Sequence, residues 1–455
     1  MPPEFPTKFT LEDYLFTPLC VILILATVFM IRRRQGIGNT NYKYFLPGLA
    51  IKLFASISMC YVYLYFYVGG DTLNYYFSSR VMLELLKVDA PSFFKIVFLG
   101  DLSPETISIF TVQTGRPLYL SDPFSFFIVR LTIPFSFISM GSLVVTSLLF
   151  TCFSYSGIWK LYLVFIEEFP TMKKELAIAV LFIPSVFFWG SGILKDPITF
   201  SSVGWFIYAF YKIFFKKKTK PIYFIQLAVS SFLMLSIKPY IFYILFPSIS
   251  IWLLMSLLGK IKTGFIKIIS FPIMLGIFTL STYILLAELG KEKSKFSIDQ
   301  IFNFALVTQK DLQNEEYGGS SFDIGSFDAN IGSMITKAPL AINYALFRPY
   351  IWEAKNMLMV FSALENMVIL LLTIYFLIRI KFRKIRRTMS QHPIIFFSFS
   401  YAIVFAFSVG ISTSNFGALV RYKIPFIPFY IASIFILLKE HEKKNTELLP
   451  EAKEK

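Results

Sequence analysis

Apolar runs of seventeen to twenty-five residues recur along almost the whole of this 455-residue chain. A helix of that length crosses the roughly 30 Å hydrocarbon core of a bilayer. Only 16% of the residues are charged and 56% are hydrophobic, whereas a soluble chain this long needs more charge to cover its surface. The sequence therefore predicts an all-α fold, a polytopic transmembrane helical bundle.

The 44 Lys and Arg residues outnumber the 28 Asp and Glu residues, so the net charge is +16. Many of these cations stand in short clusters between apolar runs, at residues 32–34, 216–218 and 381–387. Positively charged loops are retained in the cytoplasm, which predicts an extracytoplasmic N-terminus and a cytoplasmic C-terminus. The sequence has no basic surface interleaved with exposed aromatic residues, so it does not indicate nucleic-acid binding.

The apolar runs and the charge clusters together predict about eleven spans. They form a single transmembrane domain over residues 1–438, in which the eighth span covers 265–287. Residues 439–455 are rich in charge and are predicted to be a cytoplasmic tail.

Two longer polar stretches, 69–123 and 288–355, are predicted to be extracytoplasmic loops. In the first loop, apolar residues at helical spacing predict helices over 73–88 and 91–99 that lie in the membrane interface. The apolar segment 124–140 is expected to be interfacial or part of a broken span.

The chain lacks the residues that several common types of catalytic and metal site need. Cys20, Cys60 and Cys152 lie in apolar runs without metal-ligand or disulfide spacing. The two histidines, His392 and His441, are predicted on the cytoplasmic side, so no outward histidine is available for a Ser or Cys triad. The chain contains neither a GxxxxGK[ST] loop nor an HExxH motif.

The predicted topology places seven charged side chains at the outer face of the membrane: Asp71, Lys195, Asp196, Lys238, Arg348, Glu353 and Arg421. Four of them are cations on the side that the positive-inside rule disfavours. Arg and Lys bind phosphate through charge-assisted hydrogen bonds. The pattern therefore predicts an anionic partner, such as a lipid-linked phosphate or diphosphate.

Each of these residues also has a structural explanation. Asp71 follows two glycines and is a good N-cap for a helix that starts near residue 73. Lys195 and Asp196 are placed for a local ion pair, while Lys52 and Lys238 are placed to snorkel toward headgroups. Arg421 is placed to anchor the last span.

Six short motifs occur in an order that carries a resemblance. After Gly69-Gly70-Asp71 come Trp189-Gly190-Ser191-Gly192 with Lys195-Asp196, then Lys238-Pro239-Tyr240, Gly318-Gly319-Ser320-Ser321-Phe322, Arg348-Pro349-Tyr350-Ile351-Trp352-Glu353 and Arg421-Tyr422-Lys423. From about residue 45 to 438 the chain resembles the GT-C type of bacterial membrane glycosyltransferase, associated with surface polysaccharides. It departs from that type because its acid follows the second span, has no second acid beside it and is not joined to a large C-terminal soluble domain.

The resemblance implies transfer of a sugar from a polyprenyl-phosphate-linked donor to a glycan or lipid acceptor. The reaction takes place at the outer face of the inner membrane. Asp71 then acts as the base or as a ligand of a divalent cation, and no other cofactor is implied. The cations stabilise the leaving phosphate, and the rings of Tyr75, Tyr76, Tyr240 and Trp352 are available to stack on sugars.

Three other functions remain open at the level of sequence. A polymerase of lipid-linked repeat units would use the same anion-binding face. A transporter or flippase of a lipid-linked saccharide would carry ionisable groups inside its spans, and Glu365 is predicted to lie there. A non-catalytic subunit of an envelope assembly would tolerate substitutions at Asp71 and Lys195.

Overall fold

The computed structural model describes residues 3–34, 40–111, 114–259, 301–312 and 320–447, together with Gly276. Throughout these ranges the regular structure is helical, apart from one isolated bridge between Ser321 and Asn415. The predicted eighth span, the glycines of the predicted Gly318-Gly319 loop and the end of the tail, residues 448–455, lie outside the described residues. The predicted all-α class is confirmed over the described ranges.

The helices of the first half of the chain run in this order: α1 (Leu11–Arg34), α2 (Phe45–Tyr61), α3 (Asp71–Val88), α4 (Ala90–Phe94), α5 (Pro104–Ile107), α6 (Pro123–Ile138), α7 (Leu143–Glu168), α8 (Lys173–Leu181), α9 (Pro184–Phe188), α10 (Lys195–Phe210) and α11 (Pro221–Ile237). One π-helical turn, Val62–Phe66, extends α2, and another, Tyr211–Phe215, extends α10.

The helices of the second half are α12 (Pro239–Gly259), α13 (Ile301–Asp311), α14 (Ile331–Thr336), α15 (Ala338–Phe347), α16 (Met357–Arg379), α17 (Phe382–Gln391), α18 (Pro393–Ser412), α19 (Phe416–Tyr422) and α20 (Ile427–Glu447). A 3₁₀ turn, Ile351–Glu353, precedes α16.

Seven of the described helices are long and apolar enough to cross a membrane: Leu11–Arg34, Thr40–Phe66, Leu143–Glu168, Lys195–Phe215, Pro239–Gly259, Met357–Arg379 and Pro393–Ser412. The number rises to eight if α19 and the helix after it, bent by 59° at a short break, form one span. The chain is therefore a multi-pass membrane protein. Of the other predicted spans, the one over 175–189 is divided between α8 and α9, and the one over 221–237 is the shorter helix α11. The eighth, 265–287, lies outside the described residues, and the count of about eleven stays a prediction.

The chain forms two compact units. The first contains residues 1–164, 187–210 and 219–238, and the second contains residues 165–186, 211–218 and 239–455.

In the first unit α7 and α10 approach backbone to backbone. A Cβ atom added at Gly157 would collide with the Ser201 carbonyl, and one added at Gly204 would collide with the carbonyl of Gly157. Small residues at such crossings bring helices close enough for extensive van der Waals contact. This crossing fixes the position of α10, which begins with Lys195 and Asp196.

In the second unit an aromatic stack joins three segments. The Trp252 ring lies 4.3 Å from that of Phe215 and 5.2 Å from that of Phe397, measured between centroids. Gly410 on α18 meets the backbone of Ala341 on α15 as closely as the glycines meet in the first unit. Aromatic stacking and this small-residue contact both contribute to the core of this unit, together with a cluster that includes Ile324, Met334 and Ile411.

Candidate functional site

The backbone turns sharply just before Asp71. Val68 and Gly70 both have positive φ angles, of 50° and 100°. A Cβ atom at Gly70 would lie 2.8 Å from the Tyr63 ring, so the turn requires glycine there. Gly70 is the N-cap and α3 starts at Asp71 itself. Asp71 is therefore not the N-cap residue, and its carboxylate stands in the first turn, where the helix dipole favours a negative charge.

The Asp71 carboxylate accepts a hydrogen bond of 2.8 Å from the hydroxyl of Tyr119, which follows 48 positions later. The same hydroxyl accepts a bond of 3.0 Å from the Asn74 amide, one turn along α3. Burial, and next the charge of Asp71, raise the pKa of Tyr119. The phenol therefore stays protonated and holds the carboxylate in place.

Lys195 pairs with Asp122. The two charged groups lie 3.4 Å apart at the start of α10 and the N-cap of α6. Asp122 also accepts a hydrogen bond of 3.2 Å from the Phe124 amide. Burial raises the pKa of Asp122, but the Lys195 charge and the hydrogen bonds outweigh burial and hold that pKa below its ordinary value. Asp122 is therefore an anion at neutral pH.

Asp196 pairs with Lys238 instead of with its neighbour Lys195. The Lys238 ammonium lies 2.5 Å from the Asp196 carboxylate, and the two residues are 8% and 0% exposed. Both structural alternatives are therefore wrong: Lys195 and Asp196 do not pair locally, and Lys238 does not snorkel. A buried pair needs both partners because removing one leaves an uncompensated charge.

A buried network from α2 and α7 supports the turn that leads into α10. Lys52 is 2% exposed and donates a hydrogen bond of 2.5 Å to the Gly190 carbonyl. It therefore does not snorkel. The Gly192 amide donates a bond of 2.9 Å to Thr151, whose hydroxyl donates one of 3.0 Å to Ser56. These contacts hold the turn that precedes Lys195.

We name Asp71, Asp122, Lys195, Asp196 and Lys238 the aspartate–lysine cluster. Lys195 interacts electrostatically with Asp71 and with Lys238 as well as with Asp122. Its side chain is 20% exposed, and the hydrogen bond that it donates to Asp122 is 3.4 Å long. An ammonium has three donors, so Lys195 retains donors for an anionic ligand.

The second unit contains Arg348 and Glu353, which form a bidentate ion pair with a distance of 3.0 Å between Nε and the carboxylate. The guanidinium also lies over the rings of Tyr344, Phe322 and Phe416, at 4.1, 4.8 and 5.0 Å from their centroids. The charge of Arg348 thus serves the packing of this unit. A role in binding a ligand phosphate stays a prediction.

The four predicted sugar-stacking rings differ in exposure. Tyr75 and Tyr76 are 1% and 3% exposed, so neither presents a face to a sugar. Tyr240 packs edge-on against Phe405. Trp352 is 82% exposed, and one of its faces stacks on the ring of Tyr350.

A second buried charged group lies around α16. Both Glu365 oxygens accept hydrogen bonds from Ser185, each of 2.6 Å. Lys423, next to the predicted anchor Arg421, is 1% exposed. It donates to the Arg348 carbonyl at 2.7 Å and to Asn366 at 2.8 Å. Glu365 therefore lies inside a helix long enough to span the membrane, as predicted, within reach of a buried cation.

Over the described ranges, no three His, Cys, Asp or Glu side chains come together as metal ligands. The roles of Asp71 as a base and as a ligand of a divalent cation both stay predictions.

Comparison with protein-family models, with characterised proteins and with solved structures found no match.

Sequence reasoning missed Tyr119, Asn74 and Asp122. Asp122 had a usable signal, because an aspartate followed by proline before an apolar run is a helix start. Tyr119 had none: its partner lies 48 positions away.

Proposed function

We propose that this chain is a GT-C-like membrane glycosyltransferase. It moves a sugar from a polyprenyl-phosphate-linked donor to a glycan or lipid acceptor. The observation that carries the proposal is the aspartate–lysine cluster, in which a positioned carboxylate, Asp71, lies within electrostatic range of a cation with spare donors, Lys195. A carboxylate can accept the proton of the acceptor hydroxyl. A cation can stabilise the phosphate that leaves.

In the proposed reaction the acceptor hydroxyl attacks the anomeric carbon, and a new C–O bond forms there. Asp71 accepts the hydroxyl proton, while Tyr119 keeps the carboxylate oriented. The bond between the anomeric carbon and the phosphate oxygen breaks, and its electron pair leaves with the lipid phosphate. Lys195 stabilises the charge that develops on that oxygen. The Asp196 carboxylate and the Lys238 ammonium neutralise each other. Because Asp196 is the next residue after Lys195, we assign this pair the role of positioning Lys195.

The proposal includes a topology. With about eleven crossings of the inner membrane, an extracytoplasmic N-terminus and a cytoplasmic C-terminus, the aspartate–lysine cluster faces outward. The shorter helices α6 and α11 then cross or enter the bilayer. Lipid-linked sugars are presented on this side in the glycosyltransferases that the chain resembles.

The test is turnover of polyprenyl-phosphate-linked sugars in nanodiscs by wild type, Asp71→Asn and Asp101→Asn. Asp101 is a matched control because its carboxylate caps a turn of the same loop, at Ser103 and Thr106. We expect Asp71→Asn to bind donor and to lose about 100-fold or more in turnover, since a general base contributes that much. Asp101→Asn should keep wild-type turnover. Equal turnover in all three proteins would refute the proposal.

One observation favours a second function, transport of a lipid-linked saccharide. Lys52 and Lys423 are buried, and Glu365 is half-buried, within or beside apolar helices. Ionisable groups in such positions mark transport pathways in many membrane proteins. Flux of labelled lipid-linked saccharide across proteoliposomes distinguishes the two functions. Transport predicts that Glu365→Gln stops flux while Asp71→Asn does not.

A further inference from the structure

A basic helix, α17, connects two of the long apolar helices of the second unit. The helix before it, α16, ends at Arg379, and the helix after it, α18, begins at Pro393; both are long and apolar enough to cross a membrane. Two residues separate α16 from α17 and one separates α17 from α18, and the chain advances at most about 3.6 Å per residue. Both ends of α17 are therefore held at the ends of apolar spans, at the level of the lipid headgroups.

One side of α17 packs on the protein. Thr388 is buried, and Ile385 and Met389, on the same side of the helix, are half-buried. This side contacts α18 and α20, and the Lys384 ammonium lies 3.2 Å from Nε2 of His441 on α20. The neighbouring helices therefore fix which side of α17 faces outward.

The outward side of α17 carries cations. Arg383, Arg386 and Arg387 are exposed, as is Lys381 immediately before the helix. None of the ion pairs among the described residues includes any of these four cations. The sequence contains no Asp or Glu from residue 366 to residue 439. The positive charge of α17 thus lacks a counter-charge in its own part of the chain, and it favours an anionic partner outside the protein.

An exposed aromatic ring stands beside these cations. Phe382 is 80% exposed and lies one turn from Arg386, on the same side of α17. Ile378, in the last turn of α16, is also 80% exposed. Helices that combine Lys and Arg with exposed Phe lie in the membrane interface, where the ring enters the acyl boundary and the cations meet the headgroups. The apolar ring therefore favours a lipid surface over a soluble polyanion as the partner.

We propose that α17 binds anionic phospholipid headgroups in the leaflet on which it lies. The Phe382 ring enters the acyl boundary, and Arg386 beside it donates to a lipid phosphate. Arg383 and Arg387, one turn apart, form a second row of donors. Phosphatidylcholine has the same phosphate, but its choline cation cancels the charge, so α17 selects phosphatidylglycerol instead. Binding of this kind requires neither the proposed function nor the predicted orientation of the chain.

The first experiment measures lipid selectivity. The purified protein is incubated in detergent with equal amounts of phosphatidylglycerol and phosphatidylcholine, and native mass spectrometry counts the bound lipids. Wild type should prefer phosphatidylglycerol about fivefold or more, since one basic residue near an anionic surface contributes about that factor. The triple variant Arg383→Gln, Arg386→Gln, Arg387→Gln should lose most of this preference. Replacing the same three arginines with lysine keeps the charge and should keep the preference.

A matched control removes three exposed lysines from other parts of the chain: Lys8→Gln, Lys87→Gln and Lys95→Gln. It changes the net charge by the same amount and should keep the wild-type selectivity. Equal losses in this control and in the glutamine variant of α17 would assign the preference to net charge and overturn the proposal. Wild-type selectivity in the glutamine variant, or a wild type that binds both lipids equally, would also overturn it.

The second experiment tests where α17 lies. Phe382→Cys and Phe361→Cys are made separately in a protein whose three native cysteines are changed to alanine, and each thiol is labelled with bimane. In nanodiscs, spin-labelled phosphatidylglycerol should quench the label at 382 more strongly than spin-labelled phosphatidylcholine. Both lipids should quench equally at 361, an exposed position of α16 about 27 Å from its end by helical rise. Equal quenching at 382, or none, would refute the site.

Discussion

At the scale of single residues, the Tyr119 hydroxyl connects Asn74 to Asp71. Tyr119 has a φ of 64°, a left-handed conformation that is uncommon for an aromatic residue. Surrounding contacts must stabilise such a conformation, and outliers of this kind cluster at functional sites. Tyr119 is thus a positioning residue for Asp71.

Replacing Tyr119 with phenylalanine should lower turnover about tenfold with little change in KM, and it should also lower thermal stability. The reason is that a hydrogen bond to a charged group is worth about 1.5–3 kcal/mol, while the ring contact with Tyr75 is preserved. Steady-state kinetics in nanodiscs checks this. As a control, Tyr350→Phe removes a hydroxyl in the second unit that donates to Asn343, and it should leave turnover unchanged.

Asp122 should give a pH-dependent contribution to stability. Its folded-state pKa is held below the ordinary value of 3.8, so the contribution is present above that value and is lost as pH falls through the folded-state pKa. Asp122→Asn keeps the N-cap but loses the charge, whereas Asp122→Ala loses both and should cost about 1 kcal/mol more.

Thermal unfolding in detergent at pH 7 and pH 3 measures both terms. The advantage of wild type over Asp122→Asn should shrink at pH 3, while the gap between the asparagine and alanine variants should persist. A wild-type advantage that grows on acidification would contradict the ion pair with Lys195.

The sequence predicted the pairing of individual charged residues least well. Asp71 and Lys195 were selected from a predicted topology, and they prove to share one cluster. Their partners were not predictable, because Lys238 follows Asp196 by 42 positions and Lys195 follows Asp122 by 73. The packing of α6, α10 and α11 decides that Lys195 pairs with Asp122 and that Lys238 pairs with Asp196.

At the scale of elements, the turn from Gly190 to Leu194 links the buried network to the aspartate–lysine cluster. Gly192 has a φ of 76°, and a Cβ atom there would lie 3.3 Å from Met59. Its amide is held by Thr151. The positive φ of Gly192 and the hydrogen bond of its amide therefore both restrict the turn. The geometry of the turn sets where α10 begins.

Gly192→Ala should destabilise the protein by about 1 kcal/mol or more, because alanine resists positive φ. It should also lower turnover, since α10 then presents Lys195 from a shifted position. Gly259→Ala is the matched control: nothing lies within 4 Å of its added Cβ, so unfolding should change by less than about 0.5 kcal/mol. Thermal unfolding and kinetics of both variants check this, and equal effects would show that the turn tolerates alanine.

At the scale of the whole molecule, apolar length predicted the long helices well. The first span was expected near the start of the chain and is Leu11–Arg34. The span that was predicted to contain Glu365 is Met357–Arg379. Length fails as a criterion where a helix is short, as for Pro221–Ile237 with 17 residues. Whether such a short helix crosses the membrane depends on the helices that pack against it. Amino-acid composition does not reveal which helices those are.

The predicted orientation of the chain rests on one physical rule, retention of positive loops in the cytoplasm, and it is directly testable. In a background with Cys20, Cys60 and Cys152 changed to alanine, single cysteines are introduced at Ser108 and Ser390. Both positions are exposed; the first lies in the loop after α3 and the second in the basic helix α17. A membrane-impermeant thiol reagent should label Ser108→Cys in intact cells and Ser390→Cys only after permeabilisation. The reverse pattern would place the aspartate–lysine cluster on the cytoplasmic side, where the reaction would draw on cytoplasmic donors instead of lipid-linked ones.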